Sequence, residues 1–292
     1  MVTKTTAKTD AKAAAKSPPN SSRNNPVALI TGASSGIGEA LAHCFAASGH
    51  DLILVARSAD KLKTLADGLS SEFGIHAQLA VADLTRPGAV QNLAAMLQKK
   101  QVSLKVLVNC AGVLEQGAFL PMDAAKHQQM IDLNVSALTA MLSAFVPGMV
   151  EAARSGLFGG RACVLNVASI AAFQPIPLLA TYAASKAFVL SLSESLSEEL
   201  KGTGVSVTTL CPGITATHML TMASDANDKL GKLPRFLIAD VKDVARAGFE
   251  ATMRGDAICI PGAVNRLGML GSRAAPKWLV RKLGGLLGRN AM

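Results

Sequence analysis

Aromatic side chains are scarce in this 292-residue chain: they fill 4% of positions, with a single tyrosine and a single tryptophan. Charge is scarce as well, at 17%, against roughly 25% in ordinary soluble domains. Half of the residues are hydrophobic, which excludes disorder of the whole chain and provides for a sizeable core. Long unbroken apolar runs are missing. The longest uncharged stretch, Ala162 to Ser185, is interrupted by Asn166, Gln174, Pro175 and Pro177. A membrane-crossing helix wants about 20 mostly apolar residues, so a buried strand followed by a loop is expected there. The N-terminus has lysines without an apolar h-region and is not expected to be a secretory signal. The cysteines, at 44, 110, 163, 211 and 259, lack the paired spacing of metal ligands. Reduced thiols, a cytoplasmic location and no metal are the expectation.

The basic charge sits at the two ends. Residues 1–26 carry four lysines and one arginine against one aspartate, and residues 264–292 carry four arginines and two lysines with no acid. With a formal net charge of +9, the body at 27–263 is left at −1. Residues 1–26 have no periodicity and are expected to form a flexible basic tail. From Val27 the pattern becomes regular. Apolar, β-rich runs occur at Val27–Thr31, Leu52–Ala56, Ala77–Val81, Val106–Asn109, Cys163–Val167, Val205–Cys211 and Ala257–Ile260. Between them lie segments with helical spacing, such as Leu62, Leu65, Ala66 and Leu69, or Phe188, Leu192, Leu196 and Leu200. The runs are continuously apolar, as burial on two sides demands. They predict a single α/β domain over 27–263: a doubly wound, Rossmann-type parallel sheet of seven strands. Gly213–Asp240 exceeds the roughly 2–6 residues of a simple connection. It follows the sixth strand, where a lid over a ligand would lie.

The first strand runs into Gly32-Ala-Ser-Ser-Gly36-Ile37-Gly38 and then a helix. A glycine-rich turn there lets backbone N–H groups approach a pyrophosphate, and Ser34 and Ser35 add hydroxyl donors. Glycines alone also serve tight strand–helix packing; their position at the first strand of an α/β chain favours the dinucleotide. The second strand ends in Ala56-Arg57-Ser58, with no acid to grip the ribose hydroxyls of NAD. Arg57 can hold a 2′-phosphate bidentately, so NADP(H) is expected over NAD(H). The alternative is a solvated arginine opening the next helix.

The sole tyrosine, Tyr182, stands four residues before Lys186 on a segment with helical character. That spacing puts both on one face. A phenol ionises at about 10, and a neighbouring ammonium would draw it toward the working range of a proton donor. Ser169, at the end of the fifth strand, could orient a carbonyl. A buried, hydrogen-bonded phenol without chemistry is the competing account.

Together these motifs resemble the short-chain dehydrogenase/reductase family over nearly all of 27–263. Thr31 to Gly38 matches its cofactor turn, and Asp83-Leu84 matches the adenine-side acid. Asn109-Cys110-Ala111-Gly112 resembles the Asn-Asn-Ala-Gly element, with cysteine at the second position. Asn134, Ser169, Tyr182 and Lys186 match the catalytic tetrad, and Pro212-Gly213-Ile214 with Thr217 matches the segment beside the nicotinamide. The resemblance implies hydride transfer between NADP(H) and a carbonyl or secondary alcohol. Ser169 and Tyr182 would bind the substrate oxygen, and Tyr182 would exchange the proton. Lys186 would lower the phenol pKa and bind the ribose, and Asn134 would hold a relaying water. It also implies a homo-oligomer. The other functions weighed are a 3-oxoacyl thioester reductase and a non-catalytic NADP-binding regulator.

Phe173, Ile176, Leu178 and Leu179 before Tyr182, with Met219, Leu220 and Met222 in the insertion, either line an apolar pocket for a lipophilic substrate or pack as ordinary core. In 264–292 the basic residues alternate with leucines and Trp278. Such an amphipathic extension suits peripheral contact with an anionic membrane surface, or packing on its own domain or on a second subunit. No aromatic-interleaved basic platform for nucleic acid is present.

Overall fold

The strands of the body lie between two layers of helix, which is why they show so little polar alternation. The computed structural model describes residues 25–216, 238–263 and 265–266. In chain order the elements are β1 (Val27–Thr31), α1 (Gly36–Ala47), β2 (Asp51–Ala56), α2 (Ala59–Phe73), β3 (Ala77–Val81), α3 (Ala89–Lys99) and β4 (Leu104–Asn109). They continue with α4 (Ala124–Ile131), α5 (Leu138–Arg154), β5 (Ala162–Val167), α6 (Ala180–Glu199), β6 (Val205–Leu210), α7 (Val241–Arg254) and β7 (Ile258–Cys259). The strands form one seven-stranded sheet in the order β3-β2-β1-β4-β5-β6-β7. Every pairing is parallel. The expected doubly wound, Rossmann-type α/β architecture is therefore present as a single domain.

Successive residues of β1 feed opposite layers. Ala28 and Ile30 join a cluster with Leu41 and Phe45 of α1, Leu62 and Leu69 of α2, and Val244 of α7. Leu29 joins the other layer, with Val90 and Leu93 of α3, Met141 and Phe145 of α5, and Val189 of α6. A strand whose side chains enter two dry layers must be apolar at every step. The predicted face of α2 is buried as expected, at Leu62, Leu65, Ala66 and Leu69. Gly74 closes α2 in the left-handed conformation at φ +66°, where a side chain would be strained.

Three expectations need correction. β3 is an edge strand with only Ala80 buried, while Leu79 and Val81 face solvent; nothing pairs beyond it in the described sheet. Phe188 does not belong to the inner stripe of α6, being 41% exposed. The buried face of α6 runs instead through Tyr182, Ser185, Lys186, Val189 and Ser193, because small polar residues line the side against the sheet. Strand ends are also shifted: the edge strand β7 is confined to Ile258–Cys259, and the central strand β4 begins at Leu104. The helical run Ala124–Arg154 is 31 residues long and contains an 18-residue stretch of mean hydropathy 1.6, enough by length and composition to cross a membrane. Its apolar side, through Met130, Met141, Leu142, Phe145 and Met149, is buried in the core.

Candidate functional site

The strand order reverses between β1 and β4, so the crevice beyond their carboxyl ends is where a ligand of such a sheet binds. Thr31 ties the two ends together. Its Oγ1 accepts the N–H groups of Cys110 at 3.0 Å and Ala111 at 3.1 Å. The glycine requirement of the turn follows from this closeness. Gly32 has φ +69°, and a Cβ on it would lie 2.9 Å from the backbone of Ala111. A Cβ on Gly38 would fall within the Gly32 carbonyl, so helix α1 seats directly on the turn. Ser35 stands at the N-cap of α1 but its side chain makes no capping bond, and Ser58 does likewise at α2. Two helix N-termini with uncapped N–H groups, beside a cradle that side chains would fill, fit the phosphates of a dinucleotide.

Arg57 and Asp83 follow neighbouring strands, β2 and β3, which pair up to Ala56 and Val81. Asp83 Oδ1 accepts from Thr85 Oγ1 at 2.7 Å and Thr85 N–H at 3.1 Å. Those bonds, aided by the Arg57 and Arg86 guanidiniums, hold its carboxyl below the usual range. Leu84 beside it is buried. Asn109 is drawn into a buried polar chain: its amide donates to Asn166 Oδ1 at 2.9 Å, and Asn166 Nδ2 donates to Ser193 Oγ at 2.9 Å. This chain links β4, β5 and α6, and the sequence reading did not find it.

The four candidate chemical residues converge on α6. Residues Asp132–Ala137, between α4 and α5, form a π-helical turn, a local widening often found at functional positions. It carries Asn134, which is buried. Val113 N–H donates to Asn134 Oδ1 at 2.9 Å, and Asn134 Nδ2 donates to Val113 O at 2.9 Å. A Cβ on Gly112 would lie 3.2 Å from Asn134 Oδ1 and 3.4 Å from Lys186 Nζ, so those two polar atoms press on one glycine. Lys186 Nζ donates to Val167 O at 2.9 Å and sits 5.8 Å from the centre of the Tyr182 ring. Ser169 caps the turn Ile170–Phe173, its Oγ accepting from Ala171 N–H.

The electrostatics differ from expectation. Burial pushes the Tyr182 phenol above its usual value, and a hydrogen bond with Ser169 opposes that shift. Burial likewise brings the Lys186 amine down to about 8. Desolvation sets the direction for both groups, and for the phenol it runs opposite to the lowering expected from the ammonium. Cys110, the departure from the family element, is half-buried, and desolvation of its thiol pushes it up to about 12. It leaves the Thr31 contacts intact, since these use its backbone.

Of the apolar residues before Tyr182, Ile176 and Leu179 pack around it with Val113, Leu114 and Met122, whereas Phe173 joins the central core. Pro212 O accepts from Ile170 N–H at 2.9 Å, bringing this segment beside Ser169. Gly213 lies against Asn265, whose Nδ2 would be 2.5 Å from an added Cβ. Ile214 O accepts from Ala239 N–H at 2.8 Å. Thr217, Met219, Leu220, Met222 and the extension from Leu267 onward lie outside the described residues. Sequence reasoning missed Ser185, Asn166 and Ser193; their only signal is small polar residues on an otherwise apolar inner stripe.

The family model for short chain dehydrogenases matches residues 26–228. The chain belongs to the short-chain dehydrogenase family. The dehydrogenase is 38% identical over 193 residues to sulfoacetaldehyde reductase 2 of Chromohalobacter salexigens, covering 66% of this chain and 73% of that protein. Among solved structures it is similar to a short-chain dehydrogenase from Sphingobium yanoikuyae in complex with NADPH, with a TM-score of 0.72, 34% identity, and coverage of 85% of this chain and 93% of that one. It is also similar to a family member from Burkholderia phymatum in complex with NAD, at a TM-score of 0.75, 26% identity, and coverage of 84% and 92%. The dehydrogenase is thus an oxidoreductase of a dinucleotide-binding family whose solved members include both an NADPH and an NAD complex.

Proposed function

We propose that this dehydrogenase interconverts a carbonyl and a secondary alcohol with NADP(H), and that Tyr182 moves the proton. The observation that carries this reading is the convergence of Asn134, Tyr182 and Lys186 beside the glycine cradle. Gly32, Ser34, Ser35, Gly36, Ile37 and Gly38 would hold the pyrophosphate. Arg57 would take the 2′-phosphate, Asp83 and Leu84 the adenine, and Ala111, Gly112, Pro212, Gly213, Ile214 and Thr217 the nicotinamide side. When bound, NADP(H) supplies or accepts the hydride. Ser169 and Tyr182 orient the substrate oxygen by hydrogen bonds, and Tyr182 gives or takes the proton there. Lys186, as an ammonium, lowers the cost of the phenolate, and Asn134 fixes the polar surroundings of Lys186. The apolar residues packed around Tyr182 favour a lipophilic ketone or aldehyde. The tetrad favours an enzyme over a non-catalytic regulator.

The test is NADPH oxidation over a panel of ketones, aldehydes and 3-oxoacyl thioesters. Tyr182→Phe should keep NADPH binding and lose at least about 100-fold in turnover, the lower range for general acid–base catalysis. Near-normal turnover in that variant refutes the assignment. Turnover confined to thioesters would move the chain to the acyl reductases. Tight NADPH binding with no turnover would make it a regulator.

We further propose a cytoplasmic homo-oligomer with peripheral membrane contact through 264–292. Phe119, Leu120, Ile131 and Phe188 are exposed, which supports self-association; a monomer by light scattering would exclude it. Equal pelleting with anionic liposomes of the full chain and of one ending at Val264 would exclude the membrane contact.

A further inference from the structure

Ser185 stands between Tyr182 and Lys186 and has no place in the tetrad, yet its hydroxyl joins two of the tetrad's members. It is buried, as are Asn134, Tyr182 and Lys186. A carboxamide has two N–H donors and one oxygen acceptor, and a buried one must find partners for them. In Asn134, one N–H and the oxygen are used by the Val113 main chain at 2.9 Å each. The same nitrogen also donates to Ser185 Oγ at 3.0 Å. Ser185 Oγ then donates to Tyr182 O at 2.7 Å. One hydroxyl thus connects the π-helical turn that carries Asn134 to the turn of α6 that carries both Tyr182 and Lys186.

The consequence lies on the far side of the carboxamide. Asn134 Oδ1 and Lys186 Nζ rest against the same glycine, at 3.2 Å and 3.4 Å from where its Cβ would be. Val113 fixes the carboxamide relative to the loop after β4. Among the described residues, Ser185 supplies the hydrogen bond that ties it to α6, whose Lys186 is held in turn by Val167 O. The geometry points to Ser185 as a positioning residue for proton transfer: it keeps Asn134 in register with the Tyr182–Lys186 turn. This rests on the reading of Tyr182 and Lys186 as the proton-transferring pair.

The single tyrosine of the chain makes the test spectroscopic, because near-ultraviolet phenolate absorbance then reports Tyr182 and nothing else. Ser185→Ala removes the hydroxyl while installing the strongest helix former, so lost activity is not lost helix. The expected result has three parts: kcat falls roughly three- to tenfold, the size of one neutral hydrogen bond; NADPH affinity is retained; and the phenolate titration midpoint moves up. The midpoint rises because an ammonium without Asn134 beside it is less favoured and stabilises the phenolate less. Ser185→Thr, which restores the hydroxyl, should return both kcat and the midpoint toward those of the unaltered enzyme. Unchanged kcat and midpoint in Ser185→Ala overturn the inference. So does a change confined to melting temperature or NADPH affinity, or failure of the variant to fold, each of which marks a purely structural serine. Tyr182→Phe, run alongside, separates the two levels: if it stays active, the reading of the site falls. If it is inactive while Ser185→Ala behaves normally, only the role of Ser185 falls.

Discussion

Adding one methyl group at Gly112 tests whether the site works as a packed unit. The new Cβ would stand 3.2 Å from Asn134 Oδ1 and 3.4 Å from Lys186 Nζ, closer to the former than ordinary van der Waals contact allows. Asn134 cannot swing away cheaply, since it is bonded on both sides by Val113 and also to Ser185. Lys186 Nζ, in ordinary contact at 3.4 Å, need not move, so the strain falls on Asn134. A neutral hydrogen bond is worth about 0.5–1.5 kcal/mol. With tenfold in rate for every ~1.4 kcal/mol, loss of one Asn134 bond in Gly112→Ala should lower kcat roughly 2- to 10-fold. Steady-state kinetics at saturating NADPH, with the NADPH dissociation constant measured separately, reads the effect. A loss confined to NADPH affinity, with kcat intact, would refute the clash and leave Gly112 only a point of close approach to the cofactor.

Two further outcomes follow from other parts of the molecule. Arg57→Asp should weaken NADPH by roughly 2–4 kcal/mol, through a lost charge-assisted contact and new repulsion, while leaving NADH little changed; equal use of the two cofactors by the unaltered enzyme would contradict it. His50 is buried, accepts or donates through Nδ1 to Ser48 Oγ at 2.8 Å, and is held neutral by burial, its pKa down to about 4. The unfolded chain binds this proton below about 6.5 and the folded chain does not, so stability is full above that pH and drains as pH falls toward 4, by up to about 3 kcal/mol. Melting temperatures across that window should fall less in His50→Gln; an identical slope would remove His50 from the account.

How much of this was legible in the sequence depended on whether a residue's role is local. Apolar runs placed the strands because burial on both faces leaves a one-dimensional mark. The turn at Gly32 and Gly38 was legible because backbone closeness there excludes every side chain. Tyr182 and Lys186 announced themselves by helical spacing and by the rarity of tyrosine. Partnerships made across the fold left no such mark. Ser185, Asn166 and Ser193 are ordinary polar residues until Asn134 and Asn109 arrive from other elements. The exposure of β3 depends on no further strand pairing beside it in the described sheet, and the misplaced Phe188 reflects a buried face that includes Ser185, Lys186 and Ser193 beside Val189 and Leu190. The upward push on the phenol was out of reach as well, since it comes from burial that only the fold creates.

The two backbone bonds that flank the long insertion give it a further property. Thr215 bridges Ala239, with Ala216 N–H on Ala239 O at 3.0 Å and Ala239 N–H on Ile214 O at 2.8 Å. The departure point after β6 and the return point before α7 are therefore stitched side by side. These bonds bring the two ends of the intervening chain together. Its closure entropy changes by only about 0.6 kcal/mol for each doubling of length. The clasp itself uses only main-chain groups of Ile214, Ala216 and Ala239, so it sets no condition on the side chains at these positions.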